Sequence, residues 1–600
     1  MFSLIAVAGL AMAIIQGGSS MTTHFTLAKK RITGPTLHCF KAFILLISVL
    51  LLSLNYAQAT TYKVPDDYAN IQSAINASKS GDMIWVAQGT YIENLTLKPS
   101  VKLEGGFKAD YSARNWHAWP SIVDGGKNGS VLIGAQGATL DGFTLRNGKS
   151  NLGAGIFLSA ASMTIKNNTI EDNTANKGGG GIYITSHPAG PPYTDIENNT
   201  IRRNKVITDQ GGTGGGIYIF KSNSGIRITK NIIGGSAADG NEALWGGGGI
   251  STDQTPIFTI EQNIISHNKV DKGHGGGLML LEGSPNSTLS QNEISYNSVL
   301  SGNLGGGVFL IGGTFVSRNE IKNNTLFSNL SWGGGISVDS PQNITPARIE
   351  NNFILGNMAE KGAGIHVRRG NNIILMNNSI ASNMPDKPLS GAGIYVETTA
   401  SCIMQNNILW GNGDDFHEVV SGACLLDHNN IEDGDQQGKN GNISIDPQFI
   451  NYDDLHIQTT SPMINVGRKP ASPAIDYDGE ARGENVDMGA DEIIGEDSIC
   501  PFVKSAQASY LAPHIDTIRL FRDQRLMSSE LGSSTVTWYY QQAPAVSGYL
   551  DKHPWSKIVL RLALTPATYA VVYPWQSAAL LVLSIMGLVT WRRNKRFSHH

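Results

Sequence analysis

The sequence Gly179-Gly180-Gly181-Ile182-Tyr183-Ile184 returns in variant form at Gly214–Ile219, Gly247–Ser251, Gly275–Leu280, Gly305–Leu310, Gly333–Val338, Gly362–Val367 and Gly391–Val396, after an earlier copy at Gly153–Leu158. Between copies lies a second signal, Asn-x-Ile-x-x-Asn, as in Asn168/Ile170/Asn173, Asn199/Ile201/Asn204, Asn292/Ile294/Asn297, Asn352/Ile354/Asn357 and Asn378/Ile380/Asn383. A period of about 30 residues is the mark of a solenoid. Apolar residues alternate within each copy, so Ile182 and Ile184 share a face opposite Tyr183. Runs this short are strands. One repeat cannot bury its apolar face, but a stack can, and equal positions then form ladders about 4.8 Å apart. The turn asparagines are expected to line up and hydrogen-bond along the stack, and asparagine tolerates left-handed turns. The predicted fold is an all-β parallel β-helix with about three strands per coil.

These repeats resemble the right-handed parallel β-helices of the pectin-lyase-like superfamily, and their rhythm is also similar to polymorphic outer-membrane proteins. The resemblance covers roughly Thr61 to Glu492. Six hundred residues exceed one compact core, but a solenoid grows by adding coils. The 69 glycines stand well above average usage. A charged fraction of 16% with formal net charge −4 argues against nucleic acid as a partner. Four cysteines are too few for a disulfide scaffold.

Residues 1–59 read as a signal region. Of its apolar runs Phe2–Ile15 and Ala42–Leu54, the second follows Lys29, Lys30, Arg31 and Lys41 and precedes Ala57-Gln58-Ala59, and Met21 is a natural start. The β-helix is expected over 60–445. At its entry Ile71, Ala74 and Ile75 fall on one helical face, with Asp67 as expected N-cap and Gly81 as terminator, so a short helix should cover the open end. Cys402 and Cys424 each precede a coil asparagine by five residues, which places them on adjacent coils as a disulfide or as stacked buried thiols.

Residues 446–495, with Ser461-Pro462-Met463-Ile464-Asn465, Asp476-Tyr477-Asp478-Gly479-Glu480 and Asp487-Met488-Gly489-Ala490-Asp491, resemble the end of choice-of-anchor Q proteins. Asp476, Asp478, Asp487 and Asp491 could offer oxygen ligands to a divalent ion, but the spacing is not that of a calcium loop and a cap with acidic turns is the expectation. Over 496–568 the sequence resembles a CFI-box sorting domain, with a degenerate opening at Cys500-Pro501-Phe502-Val503. Residues 569–591, Tyr569 to Trp591, are long enough to span a membrane, and Arg592, Arg593, Lys595 and Arg596 in the tail 592–600 should stay inside. The β-helix would then be exported to the periplasm or cell surface and anchored at its C-terminal end, with release after sorting left open.

Superfamily lyases use acidic calcium sites and an Arg or Lys base, so the strand-end residues Asp253, Glu282, Asp339, Arg368, Arg369 and Glu397 are of interest. Asp339, Arg368 and Glu397 fall on three successive coils and are the catalytic candidates, although an ordinary solvated strand edge is the commoner meaning. His274 and His366 read as surface positions. The outward row Phe157, Tyr183, Tyr218, Phe309, His366 and Tyr395 is the candidate ligand-binding stripe for sugar rings or a partner protein. No cofactor is expected, calcium being the one ion the acidic positions would take. Two functions follow: a surface-displayed rod for adhesion or binding of polysaccharide or a surface protein, or a polysaccharide lyase or hydrolase.

Overall fold

The computed structural model describes residues 59–493, apart from 187–192, 209–210, 223–224, 284–285, 342–344, 386–390 and 470–471, together with parts of 505–573. The signal region, the Cys500 opening, nearly all of the expected span Tyr569–Trp591 and the basic tail lie outside the described residues.

The central coils carry four strand segments rather than three. One coil runs Ile182–Thr185, Thr194–Glu197, Thr200–Arg202 and Lys205–Val206. All stack in parallel on the coil before, giving a first ladder (the glycine-led strands), a second, a third and a short fourth. The third is a 13-stranded sheet and the fourth a 9-stranded one among the described residues. The first and second join in one sheet because Ile365–Met376 and Ile394–Gln405 run unbroken through the corner between them. Ile182, Ile217, Leu278, Ile336 and Ile394 stack inside with no exposed surface, as the period-two pattern requires. At Gly180 a Cβ would stand 2.5 Å from the Gly215 carbonyl of the next coil, so only glycine allows the strand entrances to close up.

Two rows of asparagine hold the turns. One follows the second ladder (Asn168, Asn199, Asn231, Asn263, Asn292 and onward), the other the third (Asn173, Asn204, Asn241, Asn268, Asn297 and onward). The Oδ1 of Asn297 accepts both the backbone N–H and the Nδ2 of Asn268, each at 3.0 Å. Its own Nδ2 donates to Asn324 Oδ1 at 3.0 Å and to the Ile265 carbonyl at 2.8 Å. The rows were legible in sequence, but the left-handed residue is the one before each asparagine. Lys230, Gln262, Gln291 and Arg318 occupy it in the first row, and His267 and Tyr296 in the second.

At the entry, α1 spans Ile71–Ala77 and buries Ile71, Ala74 and Ile75. Its N-cap is Asn70, which accepts from Ser73 N at 2.9 Å, not Asp67, whose carboxylate takes the Lys63 amide. Glu93, from the coil beneath, accepts from the Ile71 and Gln72 amides at 2.9 Å each and satisfies the orphan donors of the first turn. The helix ends at Ser78 in extended backbone, before Gly81. Cys402 and Cys424 are register partners with Cα atoms 4.4 Å apart, joined as a disulfide.

The segment after the last coil does not continue the stack. It forms a hairpin, Phe449–Asn451 with Asp454–Ile457, and folds back on the outer face of the third ladder. Tyr477 stacks on Phe353 at 4.0 Å, Arg482 donates to Asn351 Oδ1 at 2.9 Å and the Gly489 amide donates to the Asn406 carbonyl at 2.7 Å. That docking explains why the outward positions Phe353 and Ile408 are apolar and buried while Ile232 and Ile264, in the same row, are exposed. Farther on, α2 spans Pro554–Val572 with Pro566 inside. Among the described residues no helix is long and apolar enough to cross a membrane.

If the asparagine rows carry the turns, Asn297→Ala orphans the two Asn268 donors and the Ile265 carbonyl. Each unsatisfied buried group costs about 1–3 kcal/mol, whereas the half-buried Thr169→Ala should stay within about 0.5 kcal/mol. Hydrogen exchange read by mass spectrometry over residues 265–326 should rise in the first variant and not in the second.

Candidate functional site

The outward row of the first ladder is in register as expected. Phe157, Tyr183 and Tyr218 pair on successive strands, and Ser337, His366 and Tyr395 do so farther along. It is far less open than its sequence suggests. Tyr183, Phe309 and Tyr395 are buried, His366 has no exposed surface, and only Phe157 and Tyr218 of the stripe are half-buried. The cause is the turn before each glycine. Gly179 has φ 61°, which brings the preceding residue back across the strand. The residues in that place, Thr213, Gly246, His274, Leu304, Trp332 and Lys361, bridge to one another in parallel and roof the row. His274 lies 5.0 Å from the Phe309 ring and Trp332 5.9 Å from His366, while the Lys361 ammonium sits 4.8 Å above Tyr395. His366 is therefore a core residue, not a surface one.

The catalytic candidates do come together, with one change of register. A bulge after Val338 pairs Asp339 with Arg369 instead of Arg368. Asp339, 1% exposed, accepts from both arginines: Arg368 Nη1 at 3.0 Å, and Arg369 Nε and Nη2 at 2.7 and 2.6 Å. Both guanidinium groups are thus spent on one buried carboxylate. Its hydrogen bonds raise the pKa of Arg369 further above its ordinary value, away from any role as a base. Glu397 stands apart from Asp339, its Oε1 3.6 Å from His366 Nε2. The Ser337 hydroxyl lies 3.0 Å from His366 Nδ1. Burial lowers the pKa of His366, so the ring is neutral, and the nearby imidazole holds Glu397 below the ordinary carboxylate range. The row Ser337–His366–Glu397 has the residue types of a nucleophile relay, but Ser337 is fully buried and cannot meet a substrate. Asp253 and Glu282 lie on other coils of the same row and join neither group.

Of the four C-terminal acids, two are turn residues. Asp476 accepts the Gly479, Glu480 and Glu492 amides, and Asp487 those of Asn465 and Ile493. Asp478 and Asp491 instead converge on His456, which the sequence reading passed over. The His456 ring donates to Asp454 through Nδ1 and to Asp478 through Nε2, the latter at 3.0 Å. With a carboxylate oxygen at each nitrogen the ring is held as an imidazolium, and the ligand atoms of His456, Asp478 and Asp491 lie within 4.8 Å of one another, close enough that the neutral ring and these acids could hold a metal ion. Arg482, also missed, is buried beneath this segment, paired with Glu492 at 2.9 Å and donating to the Gly489 and Ala490 carbonyls. No repeat announces either residue, because their partners come from irregular turns of the same segment and, for Arg482, from Asn351 on the coils.

The sequence profile described as the right handed beta helix region matches residues 128–329 and 306–445, together more than half of the 600. The chain belongs to the right-handed β-helix family. No curated protein matches this β-helix chain in sequence. Solved structures similar to it include the pectate lyase Pel9A, at 12% identity over 72% of this chain and 96% of that one with a TM-score of 0.34. Another is the catalytic unit of a thermostable GH87 α-1,3-glucanase from Streptomyces thermodiastaticus strain HF3-3, at 13% identity over 65% and 69% with a TM-score of 0.30. Neither likeness carries an argument about chemistry.

The acidic segment of this β-helix makes its docking pH-dependent. Burial alone would lower His456, but the hydrogen bonds to Asp478 and Asp454 outweigh it and push the ring up to about 10. A basic group raised above its ordinary value of about 6.5 contributes fully below that pH and loses its contribution as pH climbs through the folded value. Burial, with Glu492 nearby, pushes Asp487 up to about 7, so that acid costs stability as pH rises to about 7 and adds no slope beyond it, which leaves the alkaline side to His456. Docking of residues 446–492 should therefore weaken from neutral pH towards pH 10. Limited proteolysis of that segment across this range should show faster cleavage at the alkaline end. His456→Gln should flatten the dependence, and NMR of the imidazole should find it still protonated at pH about 8.

Proposed function

We propose that this right-handed β-helix is a non-catalytic binding rod, exported and held at the cell envelope, that recognises a polysaccharide or a surface protein. The observation that carries the reading is the Asp339 cluster, where both candidate bases are committed to one buried carboxylate. A lyase needs a base within reach of the sugar proton and a site that neutralises the uronate carboxylate. Here both arginines are held against Asp339, and a guanidinium stays protonated, so neither is a free base. Calcium at Asp339 would need further oxygen ligands, and its neighbours on the adjacent strand are arginines.

Export is supported by the Cys402–Cys424 disulfide, a bond that persists in oxidising compartments. Membrane anchoring is supported by the apolar sequence from Tyr569 to Trp591 and by the exposed Trp555, Ile558, Val559 and Leu562 of α2. Protease added to spheroplasts should digest the β-helix and spare an epitope placed after Arg596. A protected β-helix would contradict the topology.

The purified protein should release no unsaturated uronate from pectin, alginate or glycosaminoglycans, with or without calcium. Arg368→Ala should leave its glycan binding unchanged. Calcium-dependent release of unsaturated sugar that this substitution abolishes would move the protein to the enzyme class.

A further inference from the structure

We propose that the cleft between the outer face of the second ladder and the segment Ser472–Ile475 binds an uncharged stretch of polysaccharide, with one sugar ring lying on Phe315. The inference rests on the reading of the chain as a glycan-binding rod and gives that reading a place, on a different face from the aromatic row and the Asp339 cluster. The cleft encloses about 700 Å³, within the roughly 300–1,000 Å³ typical of ligand sites.

Its floor is the outward row of the second ladder. Phe315 is half-buried there, paired with Thr288 on one neighbouring strand and Arg348 on the other. The Ser290 and Ser317 hydroxyls stand at equal positions on adjacent strands, two residues on from Thr288 and Phe315. An apolar ring flanked by short hydroxyls and amides suits the C–H face and rim hydroxyls of a pyranose.

The charges select against an acidic sugar. Arg348 is turned onto Glu350, with Nη2 2.8 Å from Oε2. Arg318 donates through Nε to the Tyr477 carbonyl at 2.8 Å; with the Gln291 amide turned over so that its oxygen faces the guanidinium, Gln291 accepts from the two Nη atoms at 3.1 and 3.3 Å and donates to Glu261 at 2.9 Å. Two cations and two anions therefore cancel, and each is engaged within the lining. No free guanidinium remains to fix a uronate.

The wall is tied down before any ligand arrives. Asn351 Nδ2 donates to the Ile475 carbonyl at 2.6 Å, and Ser472 Oγ donates to Asn377 Oδ1 at 2.9 Å. Binding would lose little in ordering the protein. A second hollow of about 280 Å³ shares Gln291 and Arg318 and reaches Tyr477 and Asp478, so a chain longer than the first cleft has a way onward.

The test uses the full-length protein and five soluble polymers: laminarin, dextran and galactomannan as neutral glycans, polygalacturonate and alginate as acidic ones. Affinity electrophoresis should retard the protein in at least one neutral glycan, and raised salt should not relieve it. Phe315→Ala should weaken that binding about tenfold or more, as loss of a central aromatic anchor does, with an unchanged melting curve. Should that variant fold poorly, Ala474→Trp fills the cleft from its wall and should give the same loss. Binding confined to the acidic polymers and abolished by salt would overturn the uncharged class. Neutral binding indifferent to both substitutions would overturn the cleft and leave the glycan-binding reading standing. Binding to none of the five would overturn both.

Discussion

The two asparagine rows are the constraint on which everything else depends. A solenoid must turn its backbone at the same place in every coil, and each turn leaves buried amides and carbonyls with no strand to pair them. The side-chain amide solves this because it has an acceptor and two donors at one point. Asn297 takes two bonds from the coil before and returns two, and its equivalents repeat the pattern. With the corners fixed, the strand parity is fixed too, and the isoleucines of every first-ladder strand must face inward. The glycine entrances then do one further thing, which is to let the coils close to strand spacing where a Cβ would strike a carbonyl.

That dependence explains what could be read from the sequence. Position along a ladder is a local property repeated many times, so the fold, the inward row and the Cys402–Cys424 adjacency were all legible from spacing alone. The outward row was legible as a row and not as a surface. Its burial comes from the turn residues Thr213, His274, Trp332 and Lys361, which share no residue type and so leave no pattern. The slip that pairs Asp339 with Arg369 rather than Arg368 is a single bulge and breaks the rule on which the register was counted. Arg482 and the cleft at Phe315 escaped for a different reason: they depend on contacts between segments more than a hundred residues apart, such as Asn351 with Arg482, while the acids around His456 come from irregular turns outside any repeat.

The electrostatics divide the molecule into settled and unsettled parts. On the first ladder Asp339 is answered by two arginines, while Glu397 stands beside the neutral ring of His366. Such compensation keeps a buried carboxylate tolerable, and it leaves no free base among these residues. In the C-terminal segment the balance is less complete. Burial raises Asp476, Asp487 and Asp491 together, and the cations close at hand are Arg482 and His456. Stability there depends on protons through His456 and through these acids.

The fold-back of this segment also bears on where a ligand would be held. A β-helix by itself offers flat ladders, and flat ladders make poor pockets. Concavity needs a second body fixed against the first. On the aromatic row the second body is the roof of turns, which packs down and leaves no room. On the second ladder it is the Ser472–Ile475 strip, which is tied to Asn351 and Asn377 at its edge and stands off from Phe315. The strip's position is set by Arg318, Arg482 and Tyr477, residues that serve the docking of the whole segment. The same contacts that bury the outer face of the third ladder thus create the cleft beside it. A change that loosens the docking would open the cleft without touching its floor.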